Sequence, residues 1–329
     1  MSADRKFQNP LPRIGITVGD VAGIGPEIVL KSLSETNTLE FCRPVVICDK
    51  RVLRSYPEFD RLSNEIEFVD LENVAIDVRS GEESADTGRA SGEYIERAVE
   101  LWRDGKIDAI ATAPISKKAL NAGGYDFPGH TEFLAKLTGT SDFAMSFFAE
   151  KLRVVLLSTH LSLTDAIKQV TTENLIRLIE FSNVQLERLL NKKVTIAVAG
   201  LNPHASENGM FGSEEADEMI PAIEYCRNDL GIEVSGPYSP DTIFLRGFRG
   251  EFDAVIASYH DQATIAVKSL SFGSAVNVTL GLPLIRTSVD HGTAVDIAGK
   301  GIADASSMSA AIRLAAELVS IRKSESANG

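Results

Sequence analysis

The sequence predicts an α/β protein with a largely parallel sheet. Short apolar and β-branched runs, typical of buried strands, alternate along the chain with segments whose apolar residues recur at helical spacing. The runs stop abruptly at polar residues: Ala254–Ser258 ends at Tyr259–Gln262, and Val276–Thr279 ends at Gly281–Pro283. Because open α/β sheets carry their chemistry in the loops after the carboxyl ends of strands, these junctions are candidate sites.

The first half of the chain opens with a predicted strand, Ile14–Val18, then a glycine-rich loop and a helix through about Leu33. Pro26 and Glu27 suit the first turn of that helix. The loop could bind an anion through its backbone N–H groups, but it lacks the GxGxxG and Walker spacings, and tight-turn packing explains its glycines more simply. Three more strands, a helix and a loop follow: Val45–Cys48, Ile66–Val69 and Ile107–Thr112, the helix Glu93–Trp102 and the loop Gly81–Ala90.

The second half continues the alternation. Strands are predicted at Arg153–Ser158 and Val194–Leu201, and helices from a cap at Thr172 to about Leu190, from Ser213 with a break at Pro221, and from about Ser306 to Ile321. The first eleven or twelve residues are expected to be a loose arm, and the tail RKSESANG to be disordered. Because no clean linker is visible, any second domain is expected to be inserted into the first.

Composition and charge narrow the class of protein. With 329 residues, 44% of them hydrophobic, the chain can build two domains with full cores. Its net charge of −13 argues against a nucleic-acid binder, which needs a basic surface. No apolar run reaches the ~18 residues of a membrane span, and the start lacks the apolar segment of a signal peptide. Three cysteines without a CxxC pair indicate a reducing compartment. We therefore expect a soluble, cytoplasmic protein.

Three of the five histidines share one context. His160, His204 and His260 each come directly after a predicted buried strand, and neighbouring parallel strands would bring such loops together. Three imidazoles with an open fourth position form a catalytic zinc site, and other divalent metals use the same arrangement. For a single histidine a hydrogen-bonded loop residue is the simpler interpretation, but three in one context favour a metal site. Asp261 and Asn202 are either partners of the metal ligands or turn formers.

A second group of candidates is cationic. Lys268 and Arg286 stand in or directly after apolar runs, where a charge must be paired or bound to something. With Asn277 they could bind a phosphate or a carboxylate, for which the arginine fork is well suited; a structural salt bridge is the alternative for each. His130 and Thr131 close a Gly- and Pro-rich loop and could contact the same ligand. Asp241 could cap a helix or touch a substrate hydroxyl, and Asp290–Thr293 resembles a loop-to-helix junction.

Taken together, these segments resemble one family, the 4-hydroxythreonine-4-phosphate dehydrogenases of pyridoxine biosynthesis. The resemblance covers nearly the whole chain in collinear order. It departs from the usual family pattern at Val21, where proline is usual, and at Ser206, where glycine is common. The matching segments are Gly19-Asp20 with Ala22–Glu27, Pro128–Glu132, Ser158–His160, Gly200–Ala205, Tyr259–Gln262, Asn277–Pro283 and Ile285–Thr293.

The resemblance implies a fold of the isocitrate/isopropylmalate dehydrogenase type, with two α/β/α domains and a cleft between them. We expect the first domain at residues 1–135 plus 282–329, and a second at 136–281 that carries most metal ligands and the interface of a homodimer. The implied metal ligands are His160, His204 and His260, shared across that interface, and the metal is zinc, magnesium or cobalt. The implied substrate-binding residues are His130, Thr131, Lys268, Asn277 and Arg286.

The implied reaction is the oxidation of 4-phosphooxy-L-threonine at C3 by NAD, or by NADP, followed by decarboxylation to 3-amino-2-oxopropyl phosphate. The metal is expected to lower the pKa of the C3 hydroxyl, with Lys268 or Asp241 handling the proton. Relatives that resemble this family act on 4-phospho-D-threonate or 4-phospho-D-erythronate, so the same chemistry on those acids is the alternative. A non-redox phosphate acyltransferase of similar fold is a rival that needs neither the three histidines nor NAD. No Rossmann fingerprint identifies the residues that bind the cofactor.

Overall fold

A computed structural model of the chain describes residues 11–35, 37–75, 78–271 and 273–326. The strands in this part of the chain are β1 Arg13–Thr17, β2 Arg43–Cys48, β3 Glu67–Asp70, β4 Ala109–Thr112, β5 Ala144–Ala149, β6 Leu152–Leu156, β7 Ile196–Ala199, β8 Val234–Tyr238, β9 Ala254–Ala257, β10 Val276–Leu280 and β11 Ile285–Ser288.

The helices are α1 Gly25–Glu35, α2 Thr38–Phe41, α3 Lys50–Leu53, α4 Phe59–Leu62, α5 Ala85–Arg103, α6 Lys117–Ala122, α7 His130–Thr138, α8 Leu163–Ile167, α9 Thr172–Leu190, α10 Ile220–Asn228, α11 Pro240–Phe248, α12 His260–Leu270 and α13 Ser306–Ser326. A 3₁₀ turn at Pro203–Glu207 and a π turn at Glu215–Met219 complete the regular structure. Strands and helices alternate, which confirms the predicted α/β class.

The chain divides into two compact units. The first comprises the described residues of Met1–Ser141 and Leu282–Ser320, and the second those of Asp142–Gly281 and Ile321–Gly329. In the first unit the strands run in the order β3-β2-β1-β4-β11, and every pair among them is parallel. Ile14, Ile16 and Ile110 are fully buried, as expected of parallel strands covered by helices on both faces.

In the second unit the order is β10-β5-β6-β9-β7-β8. The two pairs made by β5 are antiparallel, whereas β6, β9, β7 and β8 pair in parallel. Val154 and Val255 are fully buried in a core to which α11 and α12 contribute Ile243 and Val267. The parallel half of this sheet carries the loops with the predicted metal ligands.

Several predicted boundaries differ from the structure. The predicted loop Gly81–Ala90 is wrong from Ala85 onward, because Ser84 accepts a hydrogen bond from Thr87 N and forms a capping box that starts α5 there. Thr171, and not Thr172, caps α9 by accepting from Asn174 N. The terminal helix continues through the predicted disordered tail as far as Ser326, and residues 327–329 lie outside the described part.

The predicted N-terminal arm lies mostly outside the described residues. Its last residue, Pro12, accepts a hydrogen bond from Arg43 N at 2.8 Å and so already belongs to the sheet of the first unit. Strands β5, β8 and β11 were not predicted. Strand β11 reads Ile-Arg-Thr-Ser, and its polar residues are buried because other side chains and backbone groups bind them: Thr287 Oγ1, for example, donates to Ala311 O at 2.9 Å.

The three cysteines are all free and buried. Burial raises the pKa of the Cys42 thiol to about 12 and that of Cys226 to about 11, and it raises the pKa of Cys48 further still. Cys48 therefore acts as a small hydrophobic residue, as its apolar run predicts. Across the ranges that the structure describes, no helix combines the length and apolar character needed to cross a membrane.

Candidate active site

The strands that precede the three histidines are immediate neighbours in the second unit. β9 pairs in parallel with β6 on one side and with β7 on the other, with Leu156 opposite Ala257 and Val198 opposite Ile256. His160, His260 and His204 follow these strands at their carboxyl ends. The expectation that neighbouring parallel strands carry the three histidine loops is therefore confirmed. We call this edge of the second unit, with His160, His204 and His260, the histidine edge.

Two of the three imidazoles lie together. The ring centroids of His160 and His260 are 5.9 Å apart with planes inclined at 39°. His260 Nδ1 lies 2.7 Å from Asp261 Oδ1, and an imidazole hydrogen-bonded in this way has its ring orientation fixed. Both rings line a cavity of about 220 Å³ between the loops that follow β6 and β9. His160 and His260 thus form a pair of adjacent nitrogen donors open to solvent.

His204 lies elsewhere on the edge, with Phe211 as its ring neighbour at 6.4 Å. Among the described residues, no three His, Cys, Asp or Glu side chains are grouped so that they could hold a metal ion. A single chain therefore presents an adjacent pair of imidazoles and a third that is not grouped with them. The assignment of all three as ligands of one metal stays a prediction.

The backbone around His204 is unusual. Five consecutive residues other than glycine, His204 to Asn208, have φ between 44° and 63°, the left-handed region. Each such residue costs roughly 1–2 kcal/mol relative to a right-handed conformation. Ser206, with φ 63°, stands where the resembling family commonly has glycine, and glycine adopts this conformation without strain. The surroundings of this turn must therefore impose its shape.

The first unit holds a different kind of site around His130 and Arg286. His130 is the first residue of α7 and is 9% exposed, and its Nε2 finds no hydrogen-bond partner within the described chain. Burial, and secondarily the charge of Arg286, lowers the pKa of His130 well below its usual value. The imidazole is therefore neutral at physiological pH and has a nitrogen available for a ligand.

Arg286 lies on β11 with only 3% of its surface exposed. Its Nη2 donates to Thr112 Oγ1 at 2.9 Å, which fixes the side chain against β4. Burial lowers the pKa of the guanidinium to about 9, partly offset by the charge of Glu132, so it remains charged at pH 7. A buried guanidinium beside a neutral imidazole is suited to an anionic group such as phosphate or carboxylate. We call His130, Thr131 and Arg286 the buried anion site.

The other predicted site residues are more exposed. Lys268 is exposed on α12, because its apolar run is part of an amphipathic helix and not a buried strand. Asn277 is half-buried on β10, and its Oδ1 finds no hydrogen-bond partner among the residues that the structure describes. Asp241 is exposed in the first turn of α11 and accepts a hydrogen bond from Ser239 Oγ at 2.6 Å. Their roles in binding and proton transfer stay predictions.

The predicted junction at Asp290–Thr293 is a loop, and the next helix begins only at Ser306. Asp290 accepts from Ser307 Oγ at 3.2 Å, and Thr293 Oγ1 donates to Glu83 at 3.1 Å. Thr293 also packs against the glycine-rich loop, where a Cβ on Gly23 would lie 2.7 Å from its carbonyl oxygen. Close packing thus accounts for this glycine, as the simpler interpretation of the loop predicts.

Sequence reasoning missed three residues that shape these sites: Glu215, Gln262 and Thr112. Glu215 is 1% exposed and accepts hydrogen bonds from Leu201 N at 2.8 Å and Asn202 N at 2.7 Å. Gln262 lies within a segment that the sequence singles out, but nothing in the sequence shows that its side chain turns inward. Thr112 ends a predicted strand, and only its pairing with β11 brings it to Arg286.

Comparisons with known proteins agree on one family but name two different substrates. Residues 40–315 match the family described as pyridoxal phosphate biosynthetic protein PdxA. The D-threonate 4-phosphate dehydrogenase of Cupriavidus necator is 49% identical over 329 residues, covering 95% of this chain and 98% of the relative.

Two solved structures, both described as 4-hydroxythreonine-4-phosphate dehydrogenase, are also similar. The structure from Burkholderia phymatum is 45% identical with a TM-score of 0.80, and that from Klebsiella pneumoniae is 40% identical with a TM-score of 0.83. Each alignment covers 94% of this chain and 99% of the solved chain. This likeness confirms the fold that the resemblance implies.

Proposed function

The chain belongs to the PdxA family and is a dehydrogenase; from this we propose that it oxidises D-threonate 4-phosphate at C3 with NAD and a divalent metal, and releases carbon dioxide. The observation that carries this choice is the 49% identity, over nearly the whole of both chains, to a protein named for that substrate. Membership in a dehydrogenase family sets aside the non-redox acyltransferase rival.

The second candidate substrate is 4-phosphooxy-L-threonine, with 3-amino-2-oxopropyl phosphate as the product. It is supported by the name of the matching family and by the two solved structures at 45% and 40% identity. The two substrates differ at C2, where one has a hydroxyl and the other an ammonium group. None of the five predicted substrate contacts is a carboxylate that would pair with an ammonium, which favours the hydroxy acid.

The residues of the buried anion site suit the ends of such a substrate. Arg286 would hold a phosphate or carboxylate through two parallel hydrogen bonds, and Thr112 keeps its fork in place. Neutral His130 would donate one hydrogen bond to the same group without adding a second charge that must be neutralised. Binding energy from the phosphate would position C3 for hydride transfer.

The imidazole nitrogens of the histidine edge are ligands that suit a transition metal. Imidazole favours zinc or cobalt over magnesium, and two rings on one ion lie about 5–6 Å apart if each metal–nitrogen bond is about 2 Å. The separation of 5.9 Å between His160 and His260 matches that spacing. A bound divalent ion supplies Lewis-acid polarisation of substrate oxygens. His160, His260 and His204 would hold it, the last from a second chain.

In the proposed reaction the C3 hydrogen leaves as hydride to NAD and the hydroxyl proton passes to a base, for which Lys268 and Asp241 are the candidates. The C1–C2 bond of the resulting β-keto acid then breaks. Its electron pair forms an enol, which takes up a proton to give a three-carbon hydroxyketone phosphate. Arg286 and His130 would restrain the anionic part of the substrate through both steps.

A homodimer is part of this proposal. Exposed large apolar side chains of the second unit surround the histidine loops, among them Leu161, Leu163 and Ile265, with 50%, 58% and 66% of their surfaces exposed. An apolar surface of this kind is typical of a protein interface. A second copy of the chain on this surface would also supply the imidazole that one chain does not bring into the group.

The test of the substrate is NADH absorbance with the purified protein, NAD and each of three acids: D-threonate 4-phosphate, D-erythronate 4-phosphate and 4-phosphooxy-L-threonine. We expect the first to give the highest kcat/KM and a chelator to abolish turnover until zinc or cobalt is restored. Turnover of 4-phosphooxy-L-threonine alone would instead assign the enzyme to pyridoxine biosynthesis. No NADH from any of the three would refute the proposal.

The test of the shared site is a mixing experiment. His260→Ala and His204→Ala each inactivate the enzyme if the metal needs both residues. If the two residues of one site come from different chains, mixed dimers of the variants have one intact site, and about a quarter of the wild-type activity returns. No recovery, with subunit exchange verified by mass spectrometry, would show that each site lies within one chain.

A further inference from the structure

Beneath the histidine edge, buried polar side chains join the strand ends that precede the three histidines. Gln262, on α12, is 9% exposed and makes two hydrogen bonds with the backbone of different strand ends. Its Oε1 accepts from Ser258 N at 2.7 Å, and its Nε2 donates to Gly200 O at 2.7 Å. One amide group therefore fixes the end of β9 against the end of β7.

A second hydrogen bond joins β9 to its other neighbour. Ser158 Oγ, directly ahead of Thr159 and His160, donates to Ser258 O at 2.9 Å. Ser158 and Ser258 are 5% and 2% exposed, so water has little access to this contact. The three strand ends are therefore connected in the order β6, β9, β7 by side-chain hydrogen bonds beyond the last pairs of the sheet.

Glu215 fixes the chain just before the left-handed turn. Its Oε1 accepts the backbone N–H groups of Leu201 and Asn202, and its Oε2 accepts from the Asn202 side-chain amide at 2.9 Å. Hydrogen bonds to a carboxyl group in a buried setting are strong and set the direction of the groups that they bind. Asn202 is thus held through both its backbone N–H and its side-chain amide immediately ahead of Pro203 and His204.

Together these contacts determine the backbone that carries each histidine. A left-handed run of residues other than glycine persists only where its surroundings impose it. The chain just ahead of this run is bound by Glu215 from the π turn and by Gln262 from α12, whose first residue is His260. Gln262 therefore links the loop of His204 to the helix of His260 through a single side chain.

We propose that Gln262 and Glu215 are positioning residues that fix the loop of His204 on the sheet that also carries His160 and His260, and thereby set the affinity and geometry of metal binding at the sites to which these imidazoles contribute. The inference rests on the proposed function, because it assigns the three imidazoles to a metal. It differs from a purely structural role in one respect. Disturbing these residues should change the metal site more than it changes the fold.

The test compares two near-isosteric variants with matched surface controls. Gln262→Glu replaces the Nε2 donor by an oxygen that repels the Gly200 carbonyl, and Glu215→Gln places a donor against the Asn202 amide. The controls are Gln169→Glu and Glu224→Gln, at exposed positions of the same unit. Each metal-free protein is titrated with Co²⁺, whose visible absorption reports the number and geometry of its ligands.

We expect the wild type and both controls to give one tight Co²⁺ site with the same spectrum. Both test variants should bind Co²⁺ about 10–100-fold more weakly, as removing groups that orient metal ligands generally does, with a changed absorption band. Their metal-free unfolding midpoints should stay within a few degrees of the controls. Wild-type affinity and spectrum in the variants would overturn the proposal, as would a wild type that binds no Co²⁺.

Two further measurements keep the outcome clear. If a test variant fails to fold, Ser158→Ala removes the side-chain hydrogen bond between the ends of β6 and β9. It should weaken Co²⁺ binding several-fold, and an unchanged affinity would count against the proposal. NADH production is measured separately on the wild type. Tight Co²⁺ binding without NADH from any tested acid would refute the proposed function and leave the positioning role decided by the spectra alone.

Discussion

The buried anion site and the histidine edge are built in opposite ways. In the first, the functional side chains His130 and Arg286 are themselves buried, at 9% and 3% exposure, and their settings are fixed within one unit. In the second, the functional imidazoles face solvent while the groups that hold their loops, such as Glu215 at 1%, are buried. The first is preformed within one unit, whereas the second would, under the proposed function, be completed by a metal and a second chain.

The largest effect should come from the histidine edge. His260→Ala removes one of the two adjacent donors, and we expect kcat/KM to fall by at least about 10³-fold, because Lewis-acid stabilisation contributes several kcal/mol. Metal content after dialysis, measured by plasma emission spectrometry, should fall from one ion per site to near zero. Full metal content in this variant would show that the ion is held elsewhere. It would contradict the assignment of metal binding to the histidine edge.

Next in size is the effect of Arg286→Lys in the buried anion site. The charge is kept but the planar fork and its contact with Thr112 are lost, so we expect a fall of about 10²-fold in kcat/KM with little change in metal content. Thr112→Val removes only the hydroxyl that fixes the fork and should give a smaller fall. A loss of metal in Arg286→Lys would mean that the two regions are not independent.

The pH dependence of stability tests whether His130, in the buried anion site, takes up a proton in the folded protein. The pKa of His130 is lowered in the folded protein, so the unfolded chain takes up a proton as pH falls below about 6.5, and the folded chain does not. The stability that the lowered pKa of His130 contributes is therefore present above that pH and is lost below it. The free energy of unfolding falls by up to about 1.4 kcal/mol per pH unit.

His130→Asn should remove this pH-dependent part of the free energy of unfolding. Urea midpoints of wild type and variant, measured from pH 7.5 to 5.5, should therefore converge as pH falls. Parallel curves would show that His130 takes up its proton in the folded state as readily as in the unfolded chain, and so that this region is as open as the histidine edge.

The smallest effect concerns the backbone strain next to His204. Ser206→Gly removes a side chain from a residue at φ 63°, and the relief outweighs the added freedom of the unfolded chain, for a net gain of up to about 1 kcal/mol. Ser63→Gly, at φ −60°, is the matched control and should lose about 0.5–1 kcal/mol. Thermal unfolding of both variants shows whether each substitution raises or lowers stability. A loss at position 206 would mean that the serine hydroxyl stabilises the turn.

The fold class and the neighbouring histidine loops could be predicted because both depend on local patterns. Apolar runs such as Val154–Leu156 identify strands, and parallel strands leave their following loops on one edge. The exposure of Lys268 could not be predicted, because an apolar run with one charge suits a buried strand and an amphipathic helix equally well. The strand β11 was missed because its Arg and Thr are buried only through partners from distant segments.

The roles of Glu215 and Gln262 lay beyond any pattern in the sequence. These residues matter because of the backbone groups that they bind. Glu215 binds Asn202, which is 13 residues away along the chain, and Gln262 binds Gly200, which is 62 residues away. The grouping of the three histidines on one metal stays a prediction, because a spacing along one chain does not show which side chains of two copies meet.

The three buried cysteines have a practical consequence. The reactive form of cysteine is the thiolate, and burial keeps these thiols protonated at neutral pH, with pKa values of about 12 for Cys42 and about 11 for Cys226 and a raised value for Cys48. Maleimide reagents should therefore leave the native chain unmodified. A cysteine introduced on the surface of each unit would then accept a fluorescent dye selectively, so energy transfer between the dyes could follow the enzyme through its catalytic cycle without any native cysteine being removed.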